Sequence, residues 1–376
     1  LGRVLSLLGD VDAGLGLIRQ TRAEGRTMKA QTVEYLTFLA EAEVAMERGD
    51  EPECLECLRR AFAVGRAQQF QNHTWWSSKV MARLYAKALA HGIEEKYVAA
   101  VIRKRRLAPP AEAEALENWP WPLRIRTLGR FAVLKDAEPI DFAGKASRKP
   151  LELLKALIAF GGEEVSEEAL TDALWPELEG DHAERSFETA LYRLRKLLGE
   201  IPVLVLKDRK LTLHARHAWI DVRAIGRVLE RVETALRSGA TPGELDALER
   251  QLHSLYPGAF LAGETGAWTV APRERLRSRV VRALEQLGAH HEARGDWTRA
   301  LGCYQGGVDV EPLVETLHRR LICCHRSLGQ PAEALAAYRR CRETLSAQAG
   351  FGPSRDLEAL GRALVDTSGG TPPAPR

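Results

Sequence analysis

Residues 183–199, AERSFETALYRLRKLLG, combine residue types and spacing that could do specific chemistry. Phe187, Leu191, Leu194 and Leu198 recur every three or four positions, so they form the buried stripe of a helix over about 182–198 that ends at Gly199. The stripe leaves Arg185, Ser186, Thr189, Arg193 and Lys196 on the other faces. A guanidinium can offer two donors to the acceptor edge of guanine, Ser and Thr hydroxyls reach several base edges, and Lys or Arg heads hold phosphates. Such a set suits a helix lying in a major groove. Glu184 and Glu188 share the helix and would repel phosphate unless they face away or read cytosine.

The elements that must position this helix are legible on both sides of it. Residues 123–141, LRIRTLGRFAVLKDAEPID, alternate apolar and polar side chains in two bursts, Leu123, Ile125 and Leu128, then Phe131 and Val133, which is strand periodicity. A first helix is expected over about 147–160, with Leu151, Leu154, Leu157 and Ile158 on one side and Gly161-Gly162 closing it. Ser166, followed by two glutamates, is an N-cap for a short second helix over 167–174, stopped at Trp175-Pro176. After the third helix, residues 202–214 carry Val203 and Val205, a Lys207-Asp208-Arg209-Lys210 turn, and Leu211 and Leu213, a hairpin. Sheet, three helices and hairpin is the order of a winged helix.

Charge is polarised across this middle part. Residues 163–184 hold nine acids and no Lys or Arg, whereas 185–216 hold eight bases against three acids. A basic helix beside a basic hairpin tip suits a groove reader with a wing, and Arg148 and Lys149 at the first helix's start add two cations for phosphates. Ordinary solvated surface charge is the competing reading. Over the whole chain, 54 Lys and Arg against 51 Asp and Glu give a net charge of +3, which by itself names no partner.

Both ends read as helical arrays. Gly9-Asp10, Gly14-Leu15 and Ile18 return forty residues on as Gly49-Asp50, Cys54-Leu55 and Leu58. Near the other end Gly295, Ala300, Leu301 and Tyr304 return thirty-four residues on as Gly329, Ala334, Leu335 and Tyr338, the tetratricopeptide period. A lone pair of antiparallel helices cannot bury its apolar stripe, so it stacks on the next pair. Prolines at 109–110, 120 and 122 mark the first boundary. The expected division is repeats over 1–116, a linker at 117–122, a winged helix over 123–218, a second repeat domain over 219–357, and a helix end with a flexible tail over 358–376. The fold class is mainly α, with small β elements in the winged helix.

With 45% apolar and 28% charged residues in 376, the chain is an ordinary globular sequence without an apolar run long enough to span a membrane. It begins Leu1-Gly2-Arg3, without Met, and reads as a fragment. Six cysteines (54, 57, 303, 323, 324 and 341) match neither a disulfide framework nor a four-ligand metal site, so a reducing cytoplasm is expected. Cys54 and Cys57 have CxxC spacing but occupy packing positions of a repeat; Cys323-Cys324-His325 and His290-His291 are too close along a helix to converge on one ion. No phosphate-binding, dinucleotide, zinc-protease or serine-hydrolase motif occurs, which argues against an enzyme. Trp75-Trp76, Trp119 and Trp121 are candidates for boundary packing or for a partner surface.

The runs LGRFAVLKDAEPI, SRKPLELLKALIAFGGEEVSEEALTDALWPE and SFETALYRLRKLLG resemble the DNA-binding domain of the bacterial SARP-type transcription activators, whose winged helix is related to that of the OmpR response regulators. LYPGAFLAG at 255–263 and DVEPLVETLHRRLICCHRSLGQPAEALAAYRRCRETLSAQAGFGPS at 309–354 resemble the bacterial transcriptional activator domain that accompanies it. The resemblance covers about residues 123–357. It implies base reading by Arg185, Ser186, Thr189 and Arg193, with Lys196, Arg209 and Lys210 on phosphates; Lys207 extends that basic tip. The family's second wing strand carries a Gly and a Tyr, and KDRKLTLHA has neither. The forty-residue repeats look like the end of a sensor array in regulators related to the MalT type, which implies a C-terminal fragment with sensor or ATPase domains upstream and no cofactor in this part. Implied partners are double-stranded promoter DNA, RNA polymerase and a second copy of the chain; no membrane is implied. The alternative is a scaffold whose winged helix binds protein.

Overall fold

In a computed structural model the structure describes residues 1–73, 76–142, 148–199, 201–350 and 352–368. Helices α1 (Gly2–Leu7), α2 (Val11–Thr27), α3 (Gln31–Glu47), α4 (Glu51–Gln68), α5 (Ser78–Ala90) and α6 (Glu95–Arg105) form the first array. The Gly-Asp pairs of its repeat have a definite task. Gly9 and Gly49 take φ of 108° and 72° as the chain leaves one helix, and the carboxylates of Asp10 and Asp50 accept from the backbone N–H of Ala13 and Glu53 to start the next. Ile18, Cys54 and Leu58 are buried where the repeat grammar puts them. Helix α3 is enclosed on nearly every side, and its two buried acids are paired: Glu41 with Arg19 and Arg22, Glu43 with Arg3.

The array does not end in a free linker. Trp119 and Trp121 are buried in the array's own core, and the Trp121 indole donates to the Leu116 carbonyl at 2.8 Å. Residues 117–122 are therefore a packed joint, because two indoles in six residues have more to gain from burial than from solvent. Trp76 is half-buried beneath the Arg105 guanidinium; Trp75 lies outside the described residues.

The middle unit is the winged helix. Strands β1 (Leu123–Arg126), β2 (Ala132–Lys135) and β3 (Glu138–Pro139) form an antiparallel meander. Helices α7 (Arg148–Ala159), α8 (Glu167–Leu174), preceded by the short strand β4 (Val165–Ser166), and α9 (Asp181–Leu198) follow. Strands β5 (Leu204–Lys207) and β6 (Lys210–Leu213) make the hairpin, with β6 between β4 and β5. Leu153 rather than Leu151 is fully buried on α7, and the expected helix start at Ser147 lies outside the described residues. Val203 and Leu204 are buried while Val205 is exposed, so the hairpin's first strand turns its inward phase one residue from simple alternation.

Strand β7 (Ala218–Ile220) pairs parallel with β1 and leads directly into α10 (Asp221–Ser238). The expected boundary at 218/219 thus runs through a strand. Alternate side chains of β7 serve two cores: Ala218 and Ile220 face the winged helix, whereas Trp219, with Ala224 of α10, belongs to the core of the first array. Helices α11 (Pro242–Leu255), α12 (Val270–Ala293), α13 (Trp297–Val310), α14 (Glu315–Ser327), α15 (Pro331–Ala349) and α16 (Arg355–Ser368) complete the second array. Ala300, Tyr304 and Ala334 are fully buried at the thirty-four-residue repeat, and Asp296 caps α13 behind Gly295. Helix α16 buries Leu357 and Leu364 against the preceding pair, so the expected end at 357 falls inside a helix.

One continuous apolar core joins the winged helix to α10, α11 and α12. A polar clasp fixes the same joint. The buried Asp221 carboxylate accepts from Thr127 N–H and Oγ–H (both 2.6 Å), Leu128 N–H (2.8 Å) and Val222 N–H (2.8 Å). Burial pushes this carboxyl up from its usual range, and the four donors pull it back. Backbone bonds run from Gly129 N–H to the Ala259 carbonyl (3.0 Å) and from Leu261 N–H to the Thr127 carbonyl (2.8 Å). A Cβ on Gly258 would stand 3.2 Å from Gly129 Cα, which explains why the LYPGAF turn carries glycine there. Arg273 of α12 then donates to the carbonyls of Phe260 (2.8 Å), Leu261 (2.6 Å) and Glu264 (3.0 Å). Among the described residues no helix is long and apolar enough to cross a membrane.

Candidate nucleic-acid interface

Helix α8 begins at Ser166, whose hydroxyl accepts from Ala169 N–H at 3.2 Å, and ends where Trp175-Pro176 cannot continue it. The chain reverses at Gly180 (φ 50°) into α9, whose first turn carries Asp181 and Glu184 at the positive end of the helix dipole. Ala183, Phe187, Ala190, Leu191, Leu194 and Leu198 anchor α9 to the core. That burial fixes the helix's rotation, and with it the direction of the opposite face.

Arg185, Thr189, Arg193 and Lys196 are exposed on that face. Arg185, Ser186, Thr189 and Arg193 all line one open groove, with Lys149 and Trp175 on its other wall. Among the described residues Arg185, Arg193 and Lys196 make no ion pair, so their donors point to solvent. The Ser186 hydroxyl donates to the His182 carbonyl at 2.9 Å, leaving its lone pairs as acceptors. Lys149 donates to the Leu174 carbonyl (2.8 Å), pairs with Glu152 (3.1 Å) and lies 5.4 Å over the Trp175 ring, so it holds α7 and α8 together at the groove's edge. Arg148 is also bound to Glu152, at 3.0 Å, but is largely exposed.

The hairpin differs from a freely cationic wing. Arg209 pairs with Glu184 on α9 and lies 3.6 Å from Glu167, while Lys210 lies 3.6 Å from Glu164. The acids before and at the start of α9 and the bases after it thus neutralise each other in part across the hairpin. Burial raises the Glu167 carboxyl above its usual range, with Arg209 opposing the shift. Lys207 has no ion-pair partner among the described residues. Asp208 and Arg209 form the two-residue turn with φ of 48° and 57°, conformations for which a hairpin usually employs Asn and Gly.

Tyr192 is a residue the sequence reading passed over. Its side chain is 69% exposed on α9, three residues beyond Thr189 and beside Arg193. The signal was present in its position between the stripe residues Leu191 and Leu194, where a large apolar ring has no core to enter.

A short helix pair presenting one basic helix, a hairpin beside it and helical pairs on both sides defines a winged helix-turn-helix protein with flanking tetratricopeptide-like repeats. Residues 220–365 match the family model of the bacterial transcriptional activator domain. The chain is similar to the regulatory protein AfsR of Streptomyces coelicolor (strain ATCC BAA-471 / A3(2) / M145), 28% identical over 273 residues, covering 70% of this chain and 26% of the relative. It is 25% identical over 272 residues to the regulatory protein AfsR of Streptomyces griseus, with the same shares covered. Among solved structures, Mycobacterium tuberculosis EmbR in complex with a low affinity phosphopeptide is 22% identical, with a TM-score of 0.48 and 65% of each chain covered. The chain is thus similar to regulators of the SARP type, and the match to the bacterial transcriptional activator domain lies in its C-terminal part. It spans about a quarter of the length of the curated relatives it matches.

Proposed function

We propose that the chain binds double-stranded promoter DNA and activates transcription, with α9 in the major groove and the β5–β6 hairpin as a wing against the backbone. The observation that carries this reading is the groove shared by Lys149, Arg185, Ser186, Thr189 and Arg193, whose two arginines make no ion pair among the described residues. Arg185, Ser186, Thr189 and Arg193 then read base edges. Arg148, Lys149, Lys196 and Lys207 lie on phosphates, and Arg209 and Lys210 join them when they exchange their internal acids for phosphate. The helical arrays receive the signal, self-associate and contact RNA polymerase. A promoter target and free thiols are what support a cytoplasmic site for this function.

The test is a titration of the full chain against its promoter fragment at fixed salt. Arg185→Ala and Arg193→Ala are each expected to cost about 1–3 kcal/mol and to relax discrimination at one base pair, while Lys196→Ala weakens binding to all sequences and lowers the salt slope by about one. Unchanged affinity in both arginine variants overturns the reading. That outcome favours instead a protein-binding scaffold, for which the neutralised wing is the supporting observation.

A further inference from the structure

We propose that Glu249, His291 and Cys303 form a binding site for one divalent zinc-class cation inside the second helical array. The three residues come from α11, α12 and α13 and meet where those helices pack together. His291 and Cys303 are buried, and the Glu249 side chain is only 14% exposed. His291 Nε2 lies 3.1 Å from Glu249 Oε2, and Cys303 Sγ lies 3.4 Å from Glu249 Oε1. All three donor atoms fall within 4.8 Å of one another.

A tetrahedral zinc ion has bonds of about 2.0–2.2 Å to nitrogen or oxygen and about 2.3 Å to sulfur, so its ligands stand roughly 3.3–3.6 Å apart. The distances from Glu249 to His291 (3.1 Å) and to Cys303 (3.4 Å) are near that spacing, and the third pair lies within 4.8 Å. One thiol, one imidazole and one carboxylate form a borderline set that favours zinc over the harder calcium or magnesium, and three protein ligands leave a fourth position for water.

Arg299 supplies the positive charge that a cation would replace. Its guanidinium donates to Glu249 Oε2 at 2.7 Å and also pairs with Asp246, one turn earlier on α11. The cation displaces Arg299 from Glu249, and Asp246 retains it. Binding exchanges the Cys303 S–H bond for a metal–sulfur bond and releases that proton. His291 coordinates as the neutral ring through Nε2, with its one ring proton on Nδ1. One proton leaves for each ion bound.

A second group of similar donors, Glu41, Glu53 and Cys57, lacks this promise. Glu41 is held by two guanidiniums, Arg19 at 2.7 Å and Arg22 at 2.6 Å, and no imidazole belongs to the group.

The experiment titrates the chelator-stripped full chain with Co²⁺ as a spectroscopic stand-in and then with Zn²⁺. One equivalent of cobalt is expected to give a thiolate-to-metal charge-transfer band and tetrahedral ligand-field absorption, both removed by zinc, together with a raised Tm. Cys303→Ser should abolish the charge-transfer band while leaving the far-ultraviolet circular dichroism unchanged. Arg299→Gln should tighten cobalt binding at least threefold, a gain that requires a folded protein and so stands even where a core substitution unfolds the array. A folded parent chain without the cobalt band, or an undiminished band in folded Cys303→Ser, overturns the proposal.

Discussion

Asp221→Asn is the sharpest probe of how the winged helix is held to the rest of the chain. The native carboxylate takes two backbone N–H groups on one oxygen, from Thr127 and Leu128, and the Thr127 hydroxyl and Val222 N–H on the other. An amide keeps one acceptor. With that oxygen toward Thr127 and Leu128, its NH₂ confronts the Val222 N–H, and only the Thr127 hydroxyl can rotate to accept. One buried donor is then orphaned, at about 1–3 kcal/mol, and two bonds lose a charged acceptor, at about 1 kcal/mol together. A loss of about 3 kcal/mol lowers Tm by roughly 6–12 °C for a cooperative unit of this size. Thermal and urea unfolding followed by circular dichroism measure it. Thr127→Val should cost less alone and couple strongly to Asp221→Asn in a double-mutant cycle. A destabilisation below about 0.5 kcal/mol, or additive behaviour of the pair, would refute the claim that this carboxylate fastens the winged helix to the second array.

Three further outcomes are expected. Glu184→Gln removes an acid from α9 and releases Arg209, so DNA affinity at fixed salt should rise about two- to tenfold; weaker binding would show that the wing needs this pair. Tyr192→Ala should weaken binding to the promoter with little change in Tm, because the ring is mostly in solvent; equal affinity in a competition assay removes it from the interface. Burial lowers His73 from the usual 6.5 to about 4, with Arg3 and Arg105 adding to the shift. The unfolded chain therefore binds a proton before the folded one does. Stability of the first array should fall as pH drops from about 6.5 to about 4, by about 1–2 kcal/mol once half-burial is discounted. His73→Gln should flatten that slope in a pH series of denaturation curves.

What sequence reasoning reached, and what it did not, follows the distance over which each feature is determined. Helix α8 starts and stops where Ser166 and Trp175-Pro176 predict, because caps and breakers act within a turn. The α9 stripe and the hairpin are likewise local patterns. Strand β7 escaped because three residues carry no periodicity, and its partner β1 lies far back in the chain. Neither Asp221 nor the Gly129–Gly258 approach can be seen without the pairing that creates them. At the candidate site, the exposure of Arg185, Thr189, Arg193 and Lys196 was legible from their phase against Phe187 and Leu194, but the pairing of Arg209 with Glu184 was not. Charge counting separated acids from bases along the chain, and the hairpin folds them onto each other. The same limit hid the meeting of Glu249, His291 and Cys303, whose helices converge only in the packed array.

The central claim is that arginines of α9 meet guanine in a major groove, where the N7 and O6 acceptors lie. Methylation interference at guanine N7 on the promoter fragment tests it most directly. Methylated guanines within the bound site should be depleted from the complex, and the depletion at one position should vanish with Arg193→Ala. Binding by the parent chain that tolerates N7 methylation at every guanine would contradict the account.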